Sequence, residues 1–121
     1  MAAPILLQGT NYHEINSGYD YILSVTDING KVFQDVTVLF NQTGNSIDLY
    51  LPEIASLPST NFSIKALAKN TDGGSYKMTV RVADGSSDVI GSKTSVDLAK
   101  DGANAVFTVV DSTTWSVIYS I

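Results

Sequence analysis

The chain contains no cysteine. That excludes disulfides, zinc–thiolate centres and cysteine nucleophiles, and it leaves the redox compartment unmarked. There is one histidine, His13, so no pair of imidazoles can hold a metal ion. Charge is also scarce: 16% of the 121 residues are Asp, Glu, Lys or Arg, against about a quarter in ordinary domains. Basic residues are the scarcer kind, 7 against 12 acidic, for a net charge of −5. Nucleic acids and anionic membrane surfaces both need basic protein surface, so neither is expected as a partner. No stretch approaches the ~18–20 apolar residues of a membrane span. The apolar run after Met1 is too short for a signal peptide and lacks a basic n-region. The expectation is a complete small gene product made without an export signal. No segment carries a sustained 3.6-residue apolar period with caps, which argues against a helical domain.

What is present is apolar residue in short alternating runs. The hydrophobic fraction of 44% is enough at this length for one domain with one core. With so little charge, some uncharged surface is expected to be covered by copies of the chain or by a partner. The charge is uneven: residues 1–60 hold one basic and six acidic residues, and residues 61–121 hold six of each. The acidic half reads as a solvated face, with docking on a basic surface as the alternative.

Alternation with period two marks half-buried strands. In residues 76–83, Tyr76, Met78, Val80 and Val82 share one face, with Lys77, Thr79 and Arg81 on the other. The same pattern runs through residues 19–26, 31–40, 46–51, 61–69 and 95–98. Residues 53–59 read as a loop with room for one helical turn, because Pro52 cannot donate to a strand ladder. Asn29-Gly30, Gly73-Gly74 and Gly85 mark turns. The chain closes with two apolar runs, 105–110 and 115–121, around Asp111-Ser112-Thr113-Thr114, which reads as a β-hairpin carrying the only Trp. Strands every eight to twelve residues predict an all-β domain, an antiparallel β-sandwich or a barrel-like fold without substantial helix. Residues 4–11 lack a clear period and read as an extended or loop-like arm.

Two strands are apolar on both faces. Leu67 stands opposite Ile64 and Ala66, and Ile118 stands opposite Val117 and Tyr119. Such strands suit faces buried between subunits. Trp115, Val117, Tyr119, Leu51, Val80 and Val82 are the candidate core or intersubunit anchors.

Chemistry is harder to find. His13 beside Glu14 reads as a structural or solvated histidine, since adjacent strand residues point to opposite faces. There is no G-x-S-x-G elbow. Asp84 and Asp88 are the nearest carboxylate pair, but they sit in a Gly/Ser turn where Asp is common for its bonds to local backbone. The same turn lacks the ligand density and terminal Glu of a calcium loop. Six tyrosines and Trp115 raise a sugar-stacking surface, against the commoner role of strand aromatics as core or interface anchors. No cofactor and no metal are expected, and an enzyme is not.

A longer pattern runs through Leu51-Pro52, Ile64-Lys65, Val80, Val82, Gly85, Ile90-Gly91, Ser95, Leu98 and finally Trp115, Val117 and Ile118. This ordered series resembles a β-domain of bacteriophage fibres, spikes and virion appendages. It covers residues 19–121 as the β-domain and leaves residues 1–18 as the N-terminal arm. It departs in the middle, where Lys65-Ala66-Leu67-Ala68-Lys69-Asn70-Thr71-Asp72-Gly73 stands in place of a K-N-x-G pattern and implies a longer hairpin. The resemblance implies a structural or adhesive protein that forms homotrimers and is not an enzyme. It implies a place on the virion, as a capsid decoration, head fibre or small tail-fibre component. The arm, with Ile5, Leu6 and Leu7, would then attach to the major capsid protein or another virion protein. The alternative is a carbohydrate- or receptor-binding module that engages a host surface glycan.

Overall fold

The computed structural model describes residues 5–6, 11–26, 30–41 and 44–120. These residues form eleven strands and one 3-10 turn, Ile54–Ser56, so the all-β expectation holds. The strands are β1 (Ile5–Leu6), β2 (Tyr12–Ile15), β3 (Tyr21–Leu23), β4 (Asp35–Asn41), β5 (Ile47–Tyr50) and β6 (Ser63–Asn70). They continue with β7 (Met78–Arg81), β8 (Val89–Ile90), β9 (Ser95–Leu98), β10 (Asn104–Asp111) and β11 (Thr114–Ser120).

Apart from β10 and β11, successive strands do not pair. Sheet A has the order β1-β3-β5-β7-β9 and sheet B the order β2-β4-β6-β10-β11-β8. Through β9 the chain steps from one sheet to the other at every strand, like the winding of a solenoid. Up to β7, and again at β9, each strand lies beside the strand two steps away in its own sheet; the pairs β1/β3, β3/β5, β5/β7, β2/β4 and β4/β6, and also β8/β11, are parallel. Only β7/β9, β6/β10 and β10/β11 are antiparallel. The antiparallel expectation is thus corrected for most of the molecule. A parallel pair needs a crossover rather than a tight turn, and here the crossover is a strand of the opposite sheet. The closing hairpin is as expected, with Phe107 opposite Val117 and Val109 opposite Trp115.

Among the described residues before Tyr19, two short strands join the sheets. β1 pairs with Ile22 and Leu23. β2 runs beside β4, with His13 opposite Val38 and Ile15 opposite Phe40.

The two sheets share one core. Sheet B contributes Val38, Phe40, Ile64, Ala66, Ala105, Phe107 and Trp115, and sheet A contributes Leu49, Met78, Val80 and Leu98, all essentially inaccessible to solvent. These are the inward sets that period-two alternation selects. Trp115, Leu51 and Val80 are fully buried, Val82 and Val117 pack against the core's margin, and Tyr119 keeps 43% of its surface exposed.

Local chemistry fixes the links. The link from β6 to β7 is clamped to the turn before β10. Asp101 Oδ1 accepts both the Thr71 hydroxyl at 2.6 Å and the Thr71 N–H at 2.7 Å. These bonds to the ionised form hold the Asp101 carboxyl below its ordinary value. Within that link Gly74 has φ +94°, and a Cβ there would meet the Ala99 carbonyl oxygen at 3.2 Å. Only glycine suits both conditions.

Candidate functional site

The outward-facing residues of the two sheets make two different surfaces. On sheet A, Asp48, Thr79 and Asp97 stand in one cross-strand row, and Tyr50, Arg81 and Ser95 in the next. The row pattern follows from alternation: the chain neighbours of inward Leu49, Val80 and Val96 must point to the other face. Charges of both signs then meet. Lys77 Nζ lies 3.0 Å from Asp97 Oδ2, and Arg81 Nε lies 3.0 Å from Asp48 Oδ1. The Thr79 hydroxyl donates to Asp97 Oδ1 at 2.8 Å, and the Asp48 N–H donates to Asp20 Oδ1 at 2.8 Å. Together these residues line a shallow groove of about 450 Å³.

The electrostatics agree with the contacts. The Thr79 hydroxyl, followed by Lys77, holds the Asp97 carboxyl below its usual value. The Asp48 carboxylate raises the Arg81 guanidinium. Partial burial, then the Asp48 charge, raises the Tyr50 phenol. Exposed ion pairs contribute about 0–1 kcal/mol each to stability. Their main effect here is to hold donors and acceptors in fixed places across the groove floor.

Sheet B presents the opposite character. Leu39 on β4 lies directly beside Leu67 on β6, and Val106 on β10 directly beside Ile118 on β11. Lys65 pairs with Val106, which puts the two apolar pairs one row apart. Ile118 is 79% exposed, and the other three are partly exposed. The two-faced apolar strands expected from the sequence are therefore those whose outer faces reach solvent. Thr37, Ser63, Thr108 and Ser116 flank them and keep the face low.

The remaining candidates separate. His13 is buried on the inner side of β2; burial lowers its pKa, and Nδ1 has no hydrogen-bond partner among the described residues. Glu14 points outward and accepts the Asn41 side-chain N–H at 3.0 Å. Asp84 is exposed, whereas Asp88 is buried with Oδ2 accepting the Ile54 N–H at 2.9 Å. Asp88 is thus committed to the first residue of the 3-10 turn. Among the described residues no three His, Asp or Glu side chains are grouped to hold a metal ion.

The aromatics of the sugar-stacking reading do not form one surface. Trp115 is buried, Tyr12 lies on β2, Tyr50 on sheet A and Tyr119 on β11. Of the attachment residues, Ile5 and Leu6 form β1 and Leu7 lies outside the described residues. The sheet A groove is absent from the sequence reading. Its signal was the outward alternation of Asp48, Lys77, Thr79, Arg81 and Asp97.

No protein-family model matches the chain, and no curated protein matches it.

Proposed function

We propose that the chain is a structural, non-enzymatic component of a virus particle, a capsid decoration, head fibre or small tail-fibre element that associates with copies of itself, as trimers. The observation that carries this reading is the apolar outer face of sheet B. An exposed Ile118 beside Val106, with the Leu39–Leu67 pair diagonal to them one row away, is costly in water and favourable against another protein. The ordered Leu-Pro, Ile-Gly and Trp-x-Val-Ile series, which resembles virion appendage domains, supports the same role. Mass spectrometry of purified particles tests it. The chain should be present at a fixed copy number, and its absence from particles would overturn the reading.

Attachment to a capsid or other virion protein falls to Ile5, Leu6 and Leu7 in this proposal. Replacing all three by serine should abolish incorporation while leaving the melting temperature unchanged. A lowered melting temperature would assign them to the fold instead.

The groove on sheet A favours a second reading, a carbohydrate- or receptor-binding module. Carboxylate acceptors at Asp20, Asp48 and Asp97 alternate with donors at Lys77 and Arg81, which suits sugar hydroxyls that both donate and accept. A glycan array should then show a ligand that is lost in Asp97→Asn. An array without binding would remove this reading and leave the structural one untouched.

A further inference from the structure

The outer face of sheet B carries more than exposed apolar side chains. Its apolar stripe crosses the strands, so it runs along the direction in which the chain winds. Four adjacent strands, β4, β6, β10 and β11, each contribute one residue. At about 4.8 Å per strand the stripe extends roughly 14 Å. It is oblique and spans two rows, Leu39-Leu67-Asn104-Ser120 and Thr37-Lys65-Val106-Ile118, so the apolar half of each row adjoins the polar half of the other.

The charges of the face select its occupant. Outward-pointing Glu14 and Asp35 are balanced by Lys65 and Lys69. The β2, β4 and β6 part of the face is therefore balanced on a molecule whose net charge is −5. A second copy approaching this face meets as many basic as acidic side chains on β2, β4 and β6. The charges are also placed asymmetrically. Asp35 begins the outward row of β4, whereas Lys69 lies at the far end of β6, beyond Leu67.

We propose, resting on the self-association reading above, that this face is the contact between copies of the chain, with their winding axes parallel and the stripe of Leu39, Leu67, Val106 and Ile118 along the symmetry axis. A rotation about an axis parallel to the winding keeps each strand at its own height. It brings the Asp35 side of one copy against the Lys69 side of the next, about one strand spacing apart. Opposite signs then meet at the margins while the apolar stripe closes at the centre. A narrow stripe parallel to the winding is what such packing buries.

Sedimentation velocity of the full chain over a dilution series is the test. The unaltered chain should sediment as a dimer or trimer. Ile118→Asp and Leu67→Asp should shift it to monomer with the strand signal in circular dichroism retained, and Lys77→Ala on sheet A should not. Reversing the margin with Asp35→Lys should weaken association, and adding Lys69→Asp in the same chain should restore it. A monomer at every concentration would overturn self-association and this interface together. An oligomer indifferent to Ile118→Asp and Leu67→Asp would overturn the interface and leave self-association standing.

Discussion

The buried carboxylate of Asp88 accepts the backbone N–H of Ile54 at 2.9 Å, joining positions 34 residues apart. The bond ties the turn before β8 to the 3-10 turn between β5 and β6, and so links the middle of the winding to its end. Removing the acceptor strands a buried N–H. Asp88→Ala should cost about 2 kcal/mol, the range for hydrogen bonds to charged groups, read from urea denaturation. Asp84→Ala, at the exposed end of the same turn, should change stability by no more than about 0.5 kcal/mol. Equal effects at the two positions would refute this division of roles.

Trp115 fills the junction between the closing hairpin and the rest of the core, with no surface exposed. Trp115→Ala should cost about 3–5 kcal/mol, as large-to-small core changes do. Its Nε1 has no acceptor among the described residues. Trp115→Phe therefore gives up no hydrogen bond and should be the milder change. Chemical denaturation of both variants checks the order. A Trp115→Ala protein of unchanged stability that had lost a ligand would restore a binding role for the indole.

His13 makes stability depend on pH. Burial lowers its pKa from the ordinary 6.5, so the folded state prefers the neutral ring. Above 6.5 neither state holds the proton, and the full stability is present. As pH falls through that value the unfolded chain takes up a proton that the folded chain resists, and stability drops. His13→Leu should flatten this limb. A second loss belongs to Asp97, Asp101 and Asp111, whose carboxyls are held below 3.8 by hydrogen bonds and charge. Their contribution is present above 3.8 and is lost as pH falls through their depressed values. Melting temperatures across the acid range should show two separate limbs, and only the upper one should respond to His13→Leu.

Alternation made much of the interior legible before any coordinates. Met78, Val80, Phe107 and Trp115 point inward because their neighbours cannot. The two-faced character of Leu67 and Ile118 was legible for the same reason. Outside the closing hairpin, the partner of each strand was not. A half-buried strand shows the same period beside a parallel or an antiparallel neighbour: residues 19–26 and 31–40 alternate on both sides of Asn29-Gly30, yet β3 and β4 belong to different sheets and only Thr26 and Val32 pair across that turn. β1 is two residues long, too short for any period, and residues around it therefore read as an arm. The Asp88–Ile54 bond and the ion pairs of sheet A join residues distant in sequence, and local pattern carries no information about them.

Gly74 gives the last prediction. Its φ of +94° costs any side chain, and the Ala99 carbonyl oxygen leaves only 3.2 Å for a Cβ. That oxygen is backbone, in the segment between β9 and β10, and cannot turn aside without moving the Asp101 clamp on Thr71. Gly73 also has a positive φ, of +68°, but no atom lies within 4 Å of its Cβ position. Gly73→Ala should therefore cost only the left-handed conformation, about 1 kcal/mol. Gly74→Ala should cost that and a further contribution from the displaced turn. Denaturant midpoints of the two variants check the ordering, and hydrogen exchange at the Thr71 amide should quicken in Gly74→Ala alone. Equal midpoints would mean that the turn at residues 99–102 yields freely and that the clamp does not hold it.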